Sequence, residues 1–191
     1  MGGNSRSEAM LRAAADAILE AVGEDPLREG LRETPGRVAR AYLELTRGYQ
    51  DDPASWWKTF DAEGANQMVC QWKIPFYSLC EHHMLPFVGF AHVGYIPHNR
   101  ICGLSKLKRV VDMFARRLQV QERLTKQVAE FLHESLDPRG VIVVMEAEHL
   151  CMTMRGVQAP GTVTTTSAVK GDFLDPTDGA RDEFLRLMGG R

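Results

Sequence analysis

The chain has 191 residues, 44% of them hydrophobic and 25% charged, with a formal net charge of −2 at pH 7. That is room for one compact domain plus an extra element, with enough apolar material for a packed core. The near-neutral balance argues against nucleic-acid or membrane binding driven by bulk charge, and no apolar run approaches the ~20 residues needed to span a bilayer.

The N-terminus, MGGNSRSEAM, lacks the apolar centre of a signal peptide. Arg6 also breaks the myristoylation pattern, so a cytoplasmic protein is expected. Leu11, Ala14, Ala15, Ile18, Leu19 and Val22 recur at helical spacing over residues 7–22. A second helix is expected over 34–49, with Thr34 as N-cap and Pro35 at its first position. The pattern stops at QDDPAS (50–55), which suggests an N-terminal helical segment, 1–55, and a main domain, 56–191.

From residue 67 the period changes to two. Residues 68–78 and 87–97 read as strands, 105–118 and 120–136 as helices, and 141–150 and 161–170 as strands. A helix near 178–188 closes the chain. The order β-β-α-α-β-β fits an α+β layer: an antiparallel sheet with a helix pair on one face. Four strands leave two open edges, which favours a β-rich oligomer.

The chemistry gathers in two short stretches. In SLCEHHMLPF (78–87), Cys80 and His83 form a C-x-x-H pair; in AEHLCM (147–152), His149 and Cys151 stand two apart. On a strand that spacing puts both on one face. If the sheet joins the two stretches, Cys80, His83 and Cys151 offer two thiolates and an imidazole, a set that suits zinc and leaves a fourth position for water. His82 and His149 then remain beside the metal for acid–base work near neutral pH. Taken singly, each motif is better explained by a packed cysteine or a packed or hydrogen-bonded histidine; it is their coincidence that favours the metal. Cys70 and Cys102 are read as buried thiols, and disulfides are not expected in this compartment.

In GLSKLKRVV (103–111), Ser105 is expected as an N-cap, with Lys106 and Arg109 on one face of the helix it opens. A cation in a first turn opposes the helix dipole. Lys106 and Arg109, with Arg155 from MRGV (154–157), therefore suit a phosphate; a solvated basic face explains the first two equally well. There is no P-loop motif. Glu122 in QVQERLT (119–125) is favourable at a helix start for dipole reasons alone. It is also suited to accept the N1–H and 2-amino hydrogens of a guanine.

Together with HVGYIP (92–97) and TVTTTS (162–167), these motifs, in this order from about residue 33 to 188, resemble the zinc-dependent GTP cyclohydrolase I family. The resemblance implies a tunnelling fold whose subunits close into pentameric barrels that stack as a homodecamer, with pockets at subunit interfaces. It implies hydrolysis of GTP to 7,8-dihydroneopterin triphosphate and formate, the entry to folate and pterin synthesis. By position it implies Cys80, His83 and Cys151 as zinc ligands and His82 and His149 as catalytic histidines. Glu122, with Gln121 beside it, matches the guanine anchor. Ser105, Lys106, Arg109 and Arg155 match the triphosphate contacts, with Arg37 and Arg40 as further basic residues near the phosphates. Phe90 stands where relatives often carry a basic residue. The rivals are a zinc-stabilised nucleotide-binding oligomer without turnover and a tunnelling-fold enzyme acting on another pterin or deazapurine. A nucleobase deaminase is excluded, because H-x-E with P-C-x-x-C is missing.

Overall fold

The computed structural model describes residues 2–177 and 179–190. Met1 and Arg191, which end the two expected segments, and Asp178, at the start of the expected last helix, lie outside the described residues. The chain divides into two compact units, Met1–Arg47 and Gly48–Arg191.

The first unit is a helical hairpin of α1 (Gly2–Ala21) and α2 (Thr34–Leu45). The N-cap of α2 is Glu33, not Thr34, and Pro35 is the second helical residue. The helix is entered from a turn that is already wound: the Thr34 amide donates to Leu31 O at 2.9 Å. It also stops at Leu45 rather than near 49, where the Thr46 hydroxyl bonds back to Tyr42 O.

The second unit holds a five-stranded sheet of β2 (Val69–Cys80), β3 (Pro86–Ile96), β5 (Leu118–Gln119), β6 (Gly140–His149) and β7 (Val163–Gly171), in the order β5-β2-β3-β6-β7. The four expected strands form its antiparallel body. The two-residue β5, parallel to β2 at its end, is too short to leave a periodic pattern. A ribbon of β1 (Thr59–Asp61) and β4 (Arg100–Cys102) is likewise absent from the sequence reading.

Two helices cover one face of the sheet. In α3 (Leu104–Ala115), Leu107, Val110 and Val111 are buried; in α4 (Gln121–Leu136), Leu124, Val128 and Leu132 are. They meet Phe76, Phe87, Val93, Tyr95, Val143 and Met145 from the sheet. Each such side chain contributes about 1.5–3 kcal/mol by leaving water. Asp137 closes α4 in the left-handed region, at φ 47°, just before Pro138. On the other face, α6 (Ala180–Gly189) inserts Phe184 over Gly94; a Cβ there would meet the ring at 2.7 Å. Among the described residues, no helix is long and apolar enough to cross a membrane.

Two differences bear on the site. Gly103, extended at φ −63° and ψ 140°, is the N-cap of α3, so Ser105 lies inside the first turn rather than capping it. Strand β6 ends at His149, and Cys151 belongs to a helical turn, α5 (Leu150–Thr153). The expectation that His149 and Cys151 share a strand face is therefore wrong.

His92, on the α6 side of β3, is 6% exposed, and neither ring nitrogen has a hydrogen-bond partner among the described residues. Burial lowers its pKa; Glu146, 3.7 Å away, opposes the shift and Lys73 adds to it. A folded pKa below the unfolded one means the unfolded chain takes up a proton that the folded protein refuses. Stability is therefore full above the ordinary histidine value of about 6.5 and falls as pH drops through it. We expect the thermal midpoint to fall between about pH 7.5 and 5.5 and to fall less in His92→Phe. An equal fall in the variant would contradict this role for His92.

Candidate active site

The site lies where β2, β3, α4 and β6 end together. Antiparallel pairing sets Leu79 opposite Pro86 and Phe87 opposite His149, so the turn after Cys80 and the end of β6 share one edge. The turn is tight. The Cys80 carbonyl accepts from the amides of His83 and Met84, at 3.4 and 2.7 Å, and Met84 takes φ 55° to close it. Cys80 is buried, whereas His82 and His83 are exposed. Glu81 is tied to α4 by a bidentate pair with Arg123, at 2.5 and 3.0 Å. That pair holds the Glu81 carboxyl below the usual range.

Cys80, His83 and Cys151 come together. One ligand atom from each lies within 4.8 Å of the others, close enough for the three to hold one metal ion. Burial, and then the neighbouring Cys80 sulfur, push the Cys151 thiol up. Two crowded thiols beside an imidazole are a donor set that a soft divalent cation relieves, and the chemistry of the set fits zinc. His82 stands next to this group, with Nδ1 3.8 Å from Cys80 Sγ. Arg155 reaches it from the loop after α5, with Nη1 donating to His83 Nε2 at 3.2 Å. Glu148 fastens that loop by accepting from the Thr153 hydroxyl and the Gly161 amide, at 3.1 and 3.2 Å.

The ring of His149 is stacked on Phe87, with centroids 4.7 Å apart and planes 2° from parallel. Its Nε2 is 2.8 Å from Gln121 Oε1. Burial lowers its pKa, and the nearby Glu122 carboxylate pulls the other way. Glu122 is exposed in the first turn of α4, next to the buried Gln121. Gln121, which the resemblance sets beside the guanine anchor, has its side-chain amide engaged inside the protein, on His149 and on acceptors in β6 and β7.

A search against protein families matches residues 11–189 to GTP cyclohydrolase I. The chain belongs to the GTP cyclohydrolase I family. The match begins inside α1, well before residue 33, where the motifs begin. GTP cyclohydrolase 1 of Mycolicibacterium vanbaalenii is 60% identical over 184 residues, covering 95% of this chain and 90% of that one. The protein of the same name from Chlorobaculum tepidum is 53% identical over 190 residues, covering 97% and 84%. Among solved structures, the archaeosine synthase QueF-Like in its apo form is 20% identical with a TM-score of 0.44, covering 55% of this chain and 93% of that chain. Membership of the family makes the α+β arrangement described above its tunnelling fold.

Not all of the residues read from the sequence meet. Cys80, His82, His83, Gln121, Glu122, His149, Cys151 and Arg155 gather at one end of the sheet. Ser105, Lys106 and Arg109 do not join them. Strand β3 runs away from the Cys80 turn, and α3 starts beyond its far end and runs back, a length of about 18 Å for 12 residues. The Arg109 guanidinium lies over the Trp56 ring, 5.8 Å from its centroid. Arg37 and Arg40 belong to the first unit. The Glu81–Arg123 clamp and the Phe87 stack leave no spacing signal in the sequence, although all three residues stand inside the site motifs.

We expect the protein to bind one Co²⁺ per chain, with a near-ultraviolet thiolate charge-transfer band. Cys80→Ala or Cys151→Ala should weaken binding by more than the ~10–100-fold that loss of an outer-shell partner costs. Unchanged binding in both variants would place the metal elsewhere.

Proposed function

We propose that the protein is a zinc-dependent GTP cyclohydrolase that converts GTP and water to 7,8-dihydroneopterin triphosphate and formate, in the cytoplasm. The observation that carries this is the Cys80–His83–Cys151 group with two further histidines at its side, in a chain of this family. A purely structural metal site has no use for His82 and His149.

A bound zinc ion supplies Lewis acidity, the means of deprotonating water near neutral pH. Cys80, His83 and Cys151 hold it. The chain's other residues do the rest. Glu122, exposed at the start of α4, accepts hydrogen bonds from guanine N1–H and the 2-amino group and so sets the base in the site. His82, with a side chain 65% exposed, is free to approach that base. It gives a proton to N7, which makes C8 electrophilic as water adds there. His149 carries a proton as the imidazole ring opens. Hydrolysis of the resulting formamide releases formate. The ribose then opens, rearranges to a ketose and closes on the freed amine.

Arg155 meets the triphosphate from the same chain. Ser105, Lys106 and Arg109 meet it from a neighbouring subunit, which accounts for their distance from the Cys80 turn. Arg37 and Arg40 add positive charge near the phosphates. The assembly is a homodecamer of two stacked pentamers, with each site at a subunit interface.

The test is turnover of GTP by the purified protein, followed through formate and through fluorescence of the oxidised pterin. A chelator should abolish turnover and zinc restore it. His82→Ala and His149→Ala should each lower kcat by about 10²–10⁴, the usual worth of a positioned acid–base group. No product from folded, metal-loaded protein would overturn the proposal and favour a nucleotide-binding oligomer.

A further inference from the structure

We infer that Gln121 is a positioning residue that fixes the tautomer of His149, with the ring hydrogen on Nε2 and Nδ1 left as the acceptor nitrogen. The inference rests on the reading above that His149 acts on the substrate.

The argument is one of donors and acceptors. Gln121 is 1% exposed at the start of α4. Its Nε2 lies 3.0 Å from Met145 O, 2.9 Å from Thr164 O and 3.2 Å from Thr166 Oγ1. Backbone carbonyls only accept. The NH₂ end of the amide must therefore face the sheet, and Oε1 must face His149. An amide oxygen also only accepts, so His149 Nε2, 2.8 Å away, must carry the hydrogen.

The hydroxyls behind it leave no slack. Thr125 Oγ1 donates to Gln121 O at 2.8 Å. Thr166 Oγ1, 2.7 Å from Thr125 Oγ1, then donates to Thr125 and remains an acceptor for the Gln121 amide. Turning the amide over would set two carbonyls against its oxygen inside a buried network, where unpaired polar groups are costly.

Nε2 thus carries the hydrogen of the neutral ring, and Nδ1, on its opposite edge, is left with a lone pair. The Phe87 stack fixes the ring plane and so the direction in which Nδ1 points. It follows that the Gln121 side chain is not a guanine contact, and that Glu122 carries base recognition without it.

Neutron diffraction from deuterium-exchanged, metal-loaded crystals tests this without reference to turnover. At about pD 8, above the ordinary histidine range, we expect deuterium on His149 Nε2 and a bare Nδ1. The reverse pattern would overturn the inference even in a protein that turns over GTP, and the expected pattern would stand even if GTP proved not to be the substrate. In solution, Gln121→Met should lower kcat by about tenfold or more, part of what a positioned acid–base group supplies, with KM for GTP unchanged within about twofold. A raised KM at unchanged kcat would make Gln121 a substrate contact and overturn the inference. Should that variant fail to fold, Thr166→Val loosens the same network and should shift kcat in the same direction, by less; a shift in KM alone would again count against the inference.

Discussion

The register of β3 against its neighbours is the constraint on which the site depends. Leu79 opposite Pro86 and Phe87 opposite His149 bring three strand ends to one edge. A slip of one residue would send each side chain of the slipped strand to the other face. Phe87 would then leave the helix-side core, and the stack that holds His149 would be lost. Burial of Phe87, Ala91, Val93 and Tyr95 under α3 and α4 makes such a slip costly. The hydrophobic core thus sets the positions of polar groups that contribute little to stability themselves.

Around that edge the polar groups divide the work. Those that are buried or partly buried position others: Gln121, Thr125 and Thr166 are committed to one another and to His149. Those that are exposed remain available: His82, Glu122 and Arg155 face solvent. The Glu81–Arg123 pair is also exposed, so it adds little to stability; what it does is tie the cysteine turn to the start of α4. Two of the fixed points are consecutive in sequence, Gln121 and Glu122, one pointing in and one out. The first turn of a helix makes that division possible, since adjacent residues point about 100° apart.

Much of this was legible in the sequence, and the misses have physical causes. Period-two and helical spacing gave the four long strands and the two helices, because burial on one face demands them. The donor set was legible because two thiols and a histidine in short motifs are uncommon unless they meet. The strand-face argument for Cys151 fails: His149 and Cys151 do not share a strand face, since β6 ends at His149 and a helical turn carries the cysteine. Ser105 looks like a cap by residue type, yet Gly103 has the extended backbone that the cap requires. The resemblance sets Gln121 beside the guanine anchor Glu122, and no spacing rule says which of two neighbours is buried. The distance from α3's first turn to the cysteine turn is a property of topology, and it appears only once the strands are paired.

The most direct test of the central claim is X-ray absorption at the zinc edge of the metal-loaded protein. The geometry predicts two sulfur scatterers at about 2.3 Å with nitrogen or oxygen at about 2.0–2.1 Å, as two thiolates and one imidazole require. In Cys151→Ala one sulfur should be lost. A shell without sulfur, or one with four sulfurs, would contradict a centre built from Cys80, His83 and Cys151.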